Sequence, residues 1–368
     1  MKITRVDVYA YDLTYVHGAY RMSGGRTIDV LSSTLVCVTT DDGVSGWGEV
    51  CPLGTTYLPA HAEGARAALG VLAPAVIGLD PSNLAEINDA MDSALSGHAY
   101  AKSPIDVACW DLTGRALGVS VSTLLGGSRQ ADFPLYMAVP LGTPDAMTDY
   151  VLARRKEGIH RFQLKVGGDP GLDGVRARQV VEATGDEDLV IADANCGWRL
   201  NDALVAARAM ENLPRLYLEQ PCPTMEECIE VRKRTTLPMV YDEVVDDLQT
   251  LLRAVREGGA GAVNLKVSKV GGLTKARRLR DVCDELGVQV TIEDTWGGDI
   301  VSATSAHLAA TTRARTLLTV SFMNDWTCEH VAGHQPRSMN GRGAAPTGPG
   351  LGIDVDLAKL GEPLFSVR

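Results

Sequence analysis

Charged residues punctuate the second half of the chain at a nearly constant interval. Lys165, Asp193, Glu219, Asp242, Lys266 and the pair Glu293-Asp294 each close a short apolar run, and they recur roughly every 23–28 residues, about one strand-plus-helix unit of a barrel. Three of them, Asp193, Glu219 and Asp242, are carboxylates on successive units. Brought to one rim they would repel and raise one another's pKa values. A hard divalent cation removes that conflict, and an all-oxygen set suits Mg2+, with Mn2+ as the alternative, better than zinc. Lys165 and Lys266 flank the carboxylates in the chain. Beside a metal charge and partly out of water, a lysine's pKa falls toward that of a useful base. Together these parts suit removal of a proton α to a carboxylate. The cation stabilises the second negative charge that forms, and a lysine on either face takes or returns the proton.

A lone Asp or Glu at a strand end is more often a helix cap or ion-pair partner. The joint periodicity of five such residues is what sets these apart. Glu243, next to Asp242, alternates to the other side of its strand and is expected behind the ligands, with Asn195. His307 reads as a helix-packing residue. No histidine neighbours a strand-end carboxylate, so a His–Asp base pair is not visible.

The elements that would position these groups follow from the pattern around them. Short apolar runs at Pro134–Val139, Arg161–Val166, Leu189–Ala194, Arg215–Glu219, Met239–Asp242, Ala262–Val267, Val288–Ile292 and Thr316–Val320 alternate with amphipathic stretches such as Thr143–Glu157, Leu172–Thr184 and Thr274–Leu286. Such alternation predicts parallel strands with right-handed crossovers. Eight runs without a Gly-x-Gly-x-x-Gly favour a closed barrel over an open dinucleotide-binding sheet. Upstream, residues 1–13 and 31–41 alternate as strands, and Asp41-Asp42-Gly43 turns into Val44–Val50. Helical patterns at His61–Ile77, Leu84–Leu95 and Ser103–Leu117 follow. The expected organisation is an α+β capping domain over 1–130, a barrel over 131–326, and a loop-rich segment over 327–368 that packs back on the capping domain.

Bulk properties agree. The 368 residues suit a barrel of roughly 200–250 residues and a smaller companion. A net charge of −11 opposes nucleic acid and anionic membranes as partners, and no apolar run reaches the roughly 18–20 residues of a membrane span. The eight cysteines are scattered without metal-site spacing, as expected of reduced thiols in a cytoplasmic protein.

The same residues resemble the mandelate racemase/muconate lactonizing enzyme group of the enolase superfamily. The resemblance is carried by Ala101-Lys102-Ser103-Pro104-Ile105-Asp106 through Leu125-Gly126-Gly127, by Ala192-Asp193-Ala194-Asn195, Leu218-Glu219-Gln220-Pro221 and Tyr241-Asp242-Glu243, and by Asn264-Leu265-Lys266-Val267-Ser268-Lys269. It spans essentially the whole chain and implies a modified TIM barrel of the (β/α)7β type, one Mg2+ per chain, lysine bases and a homo-oligomer between dimer and octamer. It also implies that Lys269 is structural. One departure narrows the activity. The muconate lactonizing subgroup has Lys-x-Lys on the second barrel strand, whereas this chain has Gln163 in place of the first lysine, which weighs against muconate cycloisomerase, succinylbenzoate synthase and dipeptide epimerase activity.

Gln163-Leu164-Lys165-Val166-Gly167-Gly168-Asp169, Ile292 through Asp299 and Cys51 through Pro59 are similar to members acting on proline derivatives, the cis-3-hydroxy-L-proline dehydratases and the related hydroxyproline betaine 2-epimerases. The resemblance implies a small amino-acid carboxylate as substrate. Asp294 would pair its ammonium, and Gln163 and Thr295 would hydrogen-bond its ring or hydroxyl. Tyr57 and Trp296 would offer aromatic faces to the cation, although Trp296 reads equally well as loop packing. Phe322 falls in the area where the epimerases carry a larger aromatic. Loops Val16–Thr27 and Pro52–Ala60 would close over the barrel. Acid-sugar dehydration on the same platform lacks the histidine usual there, and a non-catalytic scaffold would have no use for mutually repelling carboxylates.

Overall fold

The computed structural model describes all of residues 1–368. Strands β1 (Ile3–Thr14), β2 (Val30–Thr40) and β3 (Ser45–Val50) form an antiparallel sheet, with the turn before β3 made by Gly43 at φ 83°. The C-terminal strand Phe365–Val367 adds to the free edge of β1. Helices α1 (Ala62–Val76), α2 (Leu84–Ala94) and α3 (Ala99–Leu117) cover one face. α3 starts at Ala99, earlier than the expected Ser103, and carries Pro104 inside it. Burial of its whole length from Tyr100 to Gly114 compensates the weak start. Two glycines on β3 permit that burial: a Cβ at Gly48 would lie 1.9 Å from the Pro104 carbonyl oxygen, and one at Gly46 2.2 Å from that of Ala108.

The remaining strands are β4 (Met137–Val139), β5 (Arg161–Lys165), β6 (Leu189–Asp193), β7 (Leu216–Glu219), β8 (Met239–Tyr241), β9 (Ala262–Lys266), β10 (Gln289–Glu293) and β11 (Leu317–Val320). They pair in parallel, each with its neighbour in the chain. The first expected strand, Pro134–Val139, is interrupted. Phe133–Pro134 pairs instead with Arg342–Gly343, and the break at Leu135-Tyr136 closes the ring. Leu135 bridges Val320 there, and the Tyr136 amide donates to the Val320 carbonyl at 3.0 Å. Seven helices fill the gaps: α4 (Pro144–Arg155), α5 (Pro170–Ala183), α6 (Leu200–Met210), α7 (Met225–Arg232), α8 (Leu248–Arg256), α9 (Leu273–Leu286) and α10 (Asp299–Ala310). After β11 comes only a 3-10 turn, Met323–Trp326, so the barrel has the (β/α)7β form. Inside it, Ile191, Val240, Ala262 and Leu318 make a small apolar plug, while the main core lies between strands and helices.

Local chemistry starts these helices at defined places. Thr143 and Asp169 cap α4 and α5, each followed by a proline in the first turn, the arrangement in which the missing N–H costs nothing. The helices that follow the sixth and seventh strands differ. Gly272 and Gly298 stand at the N-caps of α9 and α10 and offer no side chain. Carboxylates from the N-terminal layer serve them instead. Asp106 on α3 accepts from the Thr274 amide at 2.9 Å, and Glu49 on β3 accepts from the Gly298 and Val301 amides at 2.8 and 3.2 Å. Each carboxylate meets unpaired N–H groups and the positive end of the helix dipole.

Burial pushes the Glu49 carboxyl up to about 7, against the three hydrogen bonds that favour its charge. A carboxyl whose folded-state pKa exceeds its ordinary 4.5 binds more protons folded than unfolded, so stability falls as pH rises between those values. The expected loss is on the order of 3 kcal/mol. Thermal melts between pH 5 and 8 should show a declining Tm in the wild type and a shallower decline in Glu49→Gln. Parallel profiles for the two proteins would contradict this account of Glu49.

Candidate active site

Parallel register places the charged strand ends side by side. Lys165 lies opposite Asp193, Asp193 opposite Glu219, and Lys266 opposite Glu293. Asp242 follows β8 directly. All three expected ligands, Asp193, Glu219 and Asp242, are fully buried, and Lys165 and Lys266 are only 4% and 5% exposed. Lys165 and Lys266 stand on β5 and β9, four strands apart in an eight-stranded ring, and so face each other across the barrel mouth.

Charge compensation holds this rim together. Lys165 Nζ donates to Asp193 at 2.5 Å. Lys266 Nζ donates to Asp242 and, at 2.7 Å, to the Tyr57 hydroxyl, with Glu293 3.2 Å away. Lys269 Nζ donates to the Asp242 carbonyl at 2.6 Å and its carboxylate at 3.0 Å. Glu219 is held by amides alone, from Gln163 at 3.1 Å and Asn264 at 2.6 Å. Burial and the nearby Asp193, Asp242 and Glu293 push Glu219 well above the usual carboxylate range. Burial acts to raise Asp242 too, but Lys266 and Lys269 overcome it and hold it low.

Among the protein's own groups, the balance raises both lysines rather than lowering them. Burial acts to lower Lys165, yet Asp193, Tyr20 and Glu219 together raise it above its ordinary value. Lys266 is raised likewise by Asp242, Glu293 and Glu243. Each lysine is here the nearest counter-ion of a buried carboxylate, and at these distances attraction outweighs desolvation.

The other expected contacts divide. Gln163 reaches the site, as its shared face with Lys165 requires. Tyr57 reaches it too, but its hydroxyl donates to Asp242 at 3.0 Å and its ring already faces Lys266 and Arg26, at 5.1 and 5.8 Å from the centroid. Asp294 borders the cavity, yet both its oxygens are taken by the Ser268 amide and hydroxyl and the Thr295 amide. Thr295 donates to the Cys51 carbonyl at 2.9 Å. Trp296 packs against Tyr15, Tyr20 and Trp326, with its indole N–H buried and unpaired. Asn195 donates to Glu243 at 3.1 Å behind the ligands, and burial with Asp242 pushes Glu243 up to about 7. Phe322 lies outside the cavity, edge-on to Phe133. His307 is a core residue between Ser122 and the Leu351 carbonyl.

Above the charged floor is a small, tightly walled cavity of about 20 Å3 whose upper wall includes Tyr20, Met22, Leu53, Trp296, Met323 and Trp326. Tyr20 and Met22 come from the first expected loop, Leu53 and Tyr57 from the second. Three polar groups at this rim escaped the sequence reading, Tyr20, Tyr136 and Asn264, and Glu293 was read only as a strand-end charge with no role given to it. Asn264 and Glu293 had a usable signal, since residues two apart on a strand share a face and each fits the inward set of its strand. Tyr20 and Tyr136 had none, because loop crossings bring them in. A different cluster, His160, Glu187 and Asp188, groups its ligand atoms within 4.8 Å, closer than the Asp193, Glu219 and Asp242 oxygens come together. It sits before β5 and β6, at the opposite end of the barrel, and Arg155 neutralises both of its acids at 2.8 Å. It is an ion-pair cluster.

Residues 10–126 match the mandelate racemase/muconate lactonizing enzyme N-terminal domain, and residues 146–359 match the enolase C-terminal domain-like family. The chain belongs to the mandelate racemase/muconate lactonizing enzyme family of the enolase superfamily. It is 46% identical to a cis-3-hydroxy-L-proline dehydratase of Roseibium aggregatum, over 99% of both chains. It is 28% identical to an N-succinyl-L-Arg/Lys racemase of Bacillus cereus, over 84% of both. A crystal structure of an enolase-superfamily member from Roseovarius nubinhibens complexed with magnesium matches with a TM-score of 0.94 at 35% identity, covering 100% of this chain and 99% of that one. This chain is accordingly an enzyme of that superfamily, whose members act on small carboxylates. No helix of this enzyme is long and apolar enough to cross a membrane.

Arg26 ties the two cavity loops of the enzyme to the barrel. It donates to the Ser23 carbonyl at 3.0 Å, the Ser23 hydroxyl at 3.1 Å and the Asn195 carbonyl at 3.0 Å, and lies over Tyr57. In Arg26→Ala, limited proteolysis within residues 16–27 should speed up by about tenfold, while Tm moves by less than about 3 °C. Unchanged cleavage would show that these contacts do not restrain the loop.

Proposed function

We propose that this enzyme removes the α-proton of a proline-type amino-acid carboxylate with Lys165 and Lys266, using Mg2+ held by Asp193, Glu219 and Asp242, and that its reaction is the dehydration of cis-3-hydroxy-L-proline to Δ1-pyrroline-2-carboxylate. The observation that carries the reading is the placement of two buried lysines on opposite walls of one small cavity. In cis-3-hydroxy-L-proline the α-proton and the hydroxyl lie on opposite ring faces. Elimination therefore needs a base on one face and a proton donor on the other, and the two lysines stand that way. The relative that is 46% identical over nearly the whole chain supports this substrate.

The donor set fits the cation. Three buried carboxylates offer only oxygen, Glu219 is pushed up by burial and by its acidic neighbours, and the buried oxygens Asn195 Oδ1 and Glu243 Oε2 beside them have no hydrogen-bond partner. When bound, Mg2+ would offset the carboxylate charge and make the α-proton more acidic. The chain's own groups do the rest. One lysine takes the α-proton as the Cα–H electrons form the C2=C3 bond and the C3–O bond breaks. The lysine opposite gives a proton to the departing oxygen, releasing water, and the enamine left behind tautomerises to the imine. Gln163 and Asn264 anchor Glu219, while the aromatic wall keeps bulk water from the carbanion-like carbon. The same two walls serve inversion at Cα, and the racemase relative keeps epimerisation of a proline or hydroxyproline betaine as the second reading.

Proton NMR in D2O with Mg2+ should show cis-3-hydroxy-L-proline losing its hydroxyl, whereas epimerisation would leave the hydroxyl and give both epimers with deuterium at Cα. Lys165→Ala and Lys266→Ala should each lower kcat by about 1,000-fold or more, and EDTA should abolish turnover until Mg2+ or Mn2+ is restored. Wild-type rates in Lys165→Ala would sink the lysine mechanism.

A further inference from the structure

Glu293 and Asp294 are adjacent acids at the end of β10, and the strand pleat sends them to different neighbours. Asp294 is occupied by the Ser268 and Thr295 donors. Glu293, 1% exposed, turns into the cavity, where every group that touches it is a donor. The Tyr136 hydroxyl donates to one oxygen, and Asn264 Nδ2 and Lys266 Nζ reach the other, each at 3.2 Å. Asn264 also binds Glu219, so Glu293 is fixed from two further strands of the barrel.

The two lysines are therefore held differently. Lys165 has one carboxylate partner, Asp193, which belongs to the proposed metal triad. Lys266 has two, Asp242 from that triad and Glu293 from outside it. We propose that Glu293 is a positioning residue which, with Tyr136 and Asn264, holds the Lys266 ammonium on the wall opposite Lys165, independently of the carboxylates assigned to the cation. The consequence is a division of work: the Lys266 side of the reaction depends on Glu293, and the Lys165 side does not. The placement of Glu293 stands on the structure alone; the division of work rests on the two-lysine reading above.

The test uses the full-length enzyme with Mg2+ and the variants Glu293→Gln, Glu293→Asp and Tyr136→Phe. Reductive methylation followed by peptide mass spectrometry reads the freedom of each lysine without any substrate. Losing a charge-assisted hydrogen bond should speed labelling of Lys266 by about tenfold in Glu293→Gln, leaving Lys165 within about twofold of wild type. Glu293→Asp should recover part of the protection. In turnover, Glu293→Gln should lower kcat for dehydration about 100-fold, with KM within about threefold. Unchanged Lys266 labelling, or equal acceleration of both lysines, would overturn the proposal. If wild-type enzyme turns over no proline-type substrate, the substrate reading fails, and the labelling result still decides the position of Lys266.

Discussion

Buried like charges at one end of a barrel must be neutralised, and most of the architecture around this site answers that requirement. Asp193, Glu219, Asp242 and Glu293 sit on neighbouring strand ends where water cannot screen them. At an effective dielectric far below that of water, repulsion between such groups is several-fold stronger than at a surface. Lys165, Lys266 and Lys269 each contact one or more of these acids, and amides from Gln163 and Asn264 satisfy Glu219. The same repulsion that makes the row costly without partners is what favours a hard cation in the function proposed above.

Parallel pairing supplies the row. Because the strands run in the same direction, Lys165, Asp193 and Glu219 lie opposite one another, as do Lys266 and Glu293, while Asp242 stands two residues beyond the Val240 that faces Glu219, so the charges gather at one end of the ring. The N-terminal layer then closes the ring from above and secures it from the side. Its loops bring Tyr20, Met22, Leu53 and Tyr57 over the charged floor. Its carboxylates Asp106 and Glu49 cap the helices that follow the sixth and seventh strands, next to Lys266 and Glu293. Gly272 shows how tight this is: it has φ 116°, and a Cβ there would come within 2.5 Å of Asp106. Cavity wall and helix caps are thus parts of one contact between the two layers, so a change in the docking of the sheet reaches the charged rim.

The barrel strands, and the gathering of the carboxylate row and the lysine pair at one rim, were legible in the chain because they rest on local rules. Apolar runs of strand length, their alternation with helical stretches and one charged residue per unit all survive folding unchanged. Asn264 and Glu293 were within reach of the same alternation rule that picked out Gln163. The substrate-contact expectations fared differently. Asp294 and Tyr57 reach the cavity but spend their polar atoms on Ser268, Thr295, Asp242 and Lys266, and Phe322 packs on Phe133 away from it. A side chain's partners depend on groups hundreds of residues away, which no spacing within a segment records.

Alone, the sequence determined which groups are available: a row of carboxylates, two lysines and a barrel rim to carry them, since residue type and period need no knowledge of distant contacts. Only the tertiary structure decided how those groups are shared. Ring closure at Leu135-Tyr136 brings Tyr136 to Glu293, loop crossing brings Tyr57 to Lys266, and burial sets the protonation balance of the whole rim. Those outcomes depend on Coulombic and desolvation energies that vary steeply with distance, and distance exists only once the chain has folded.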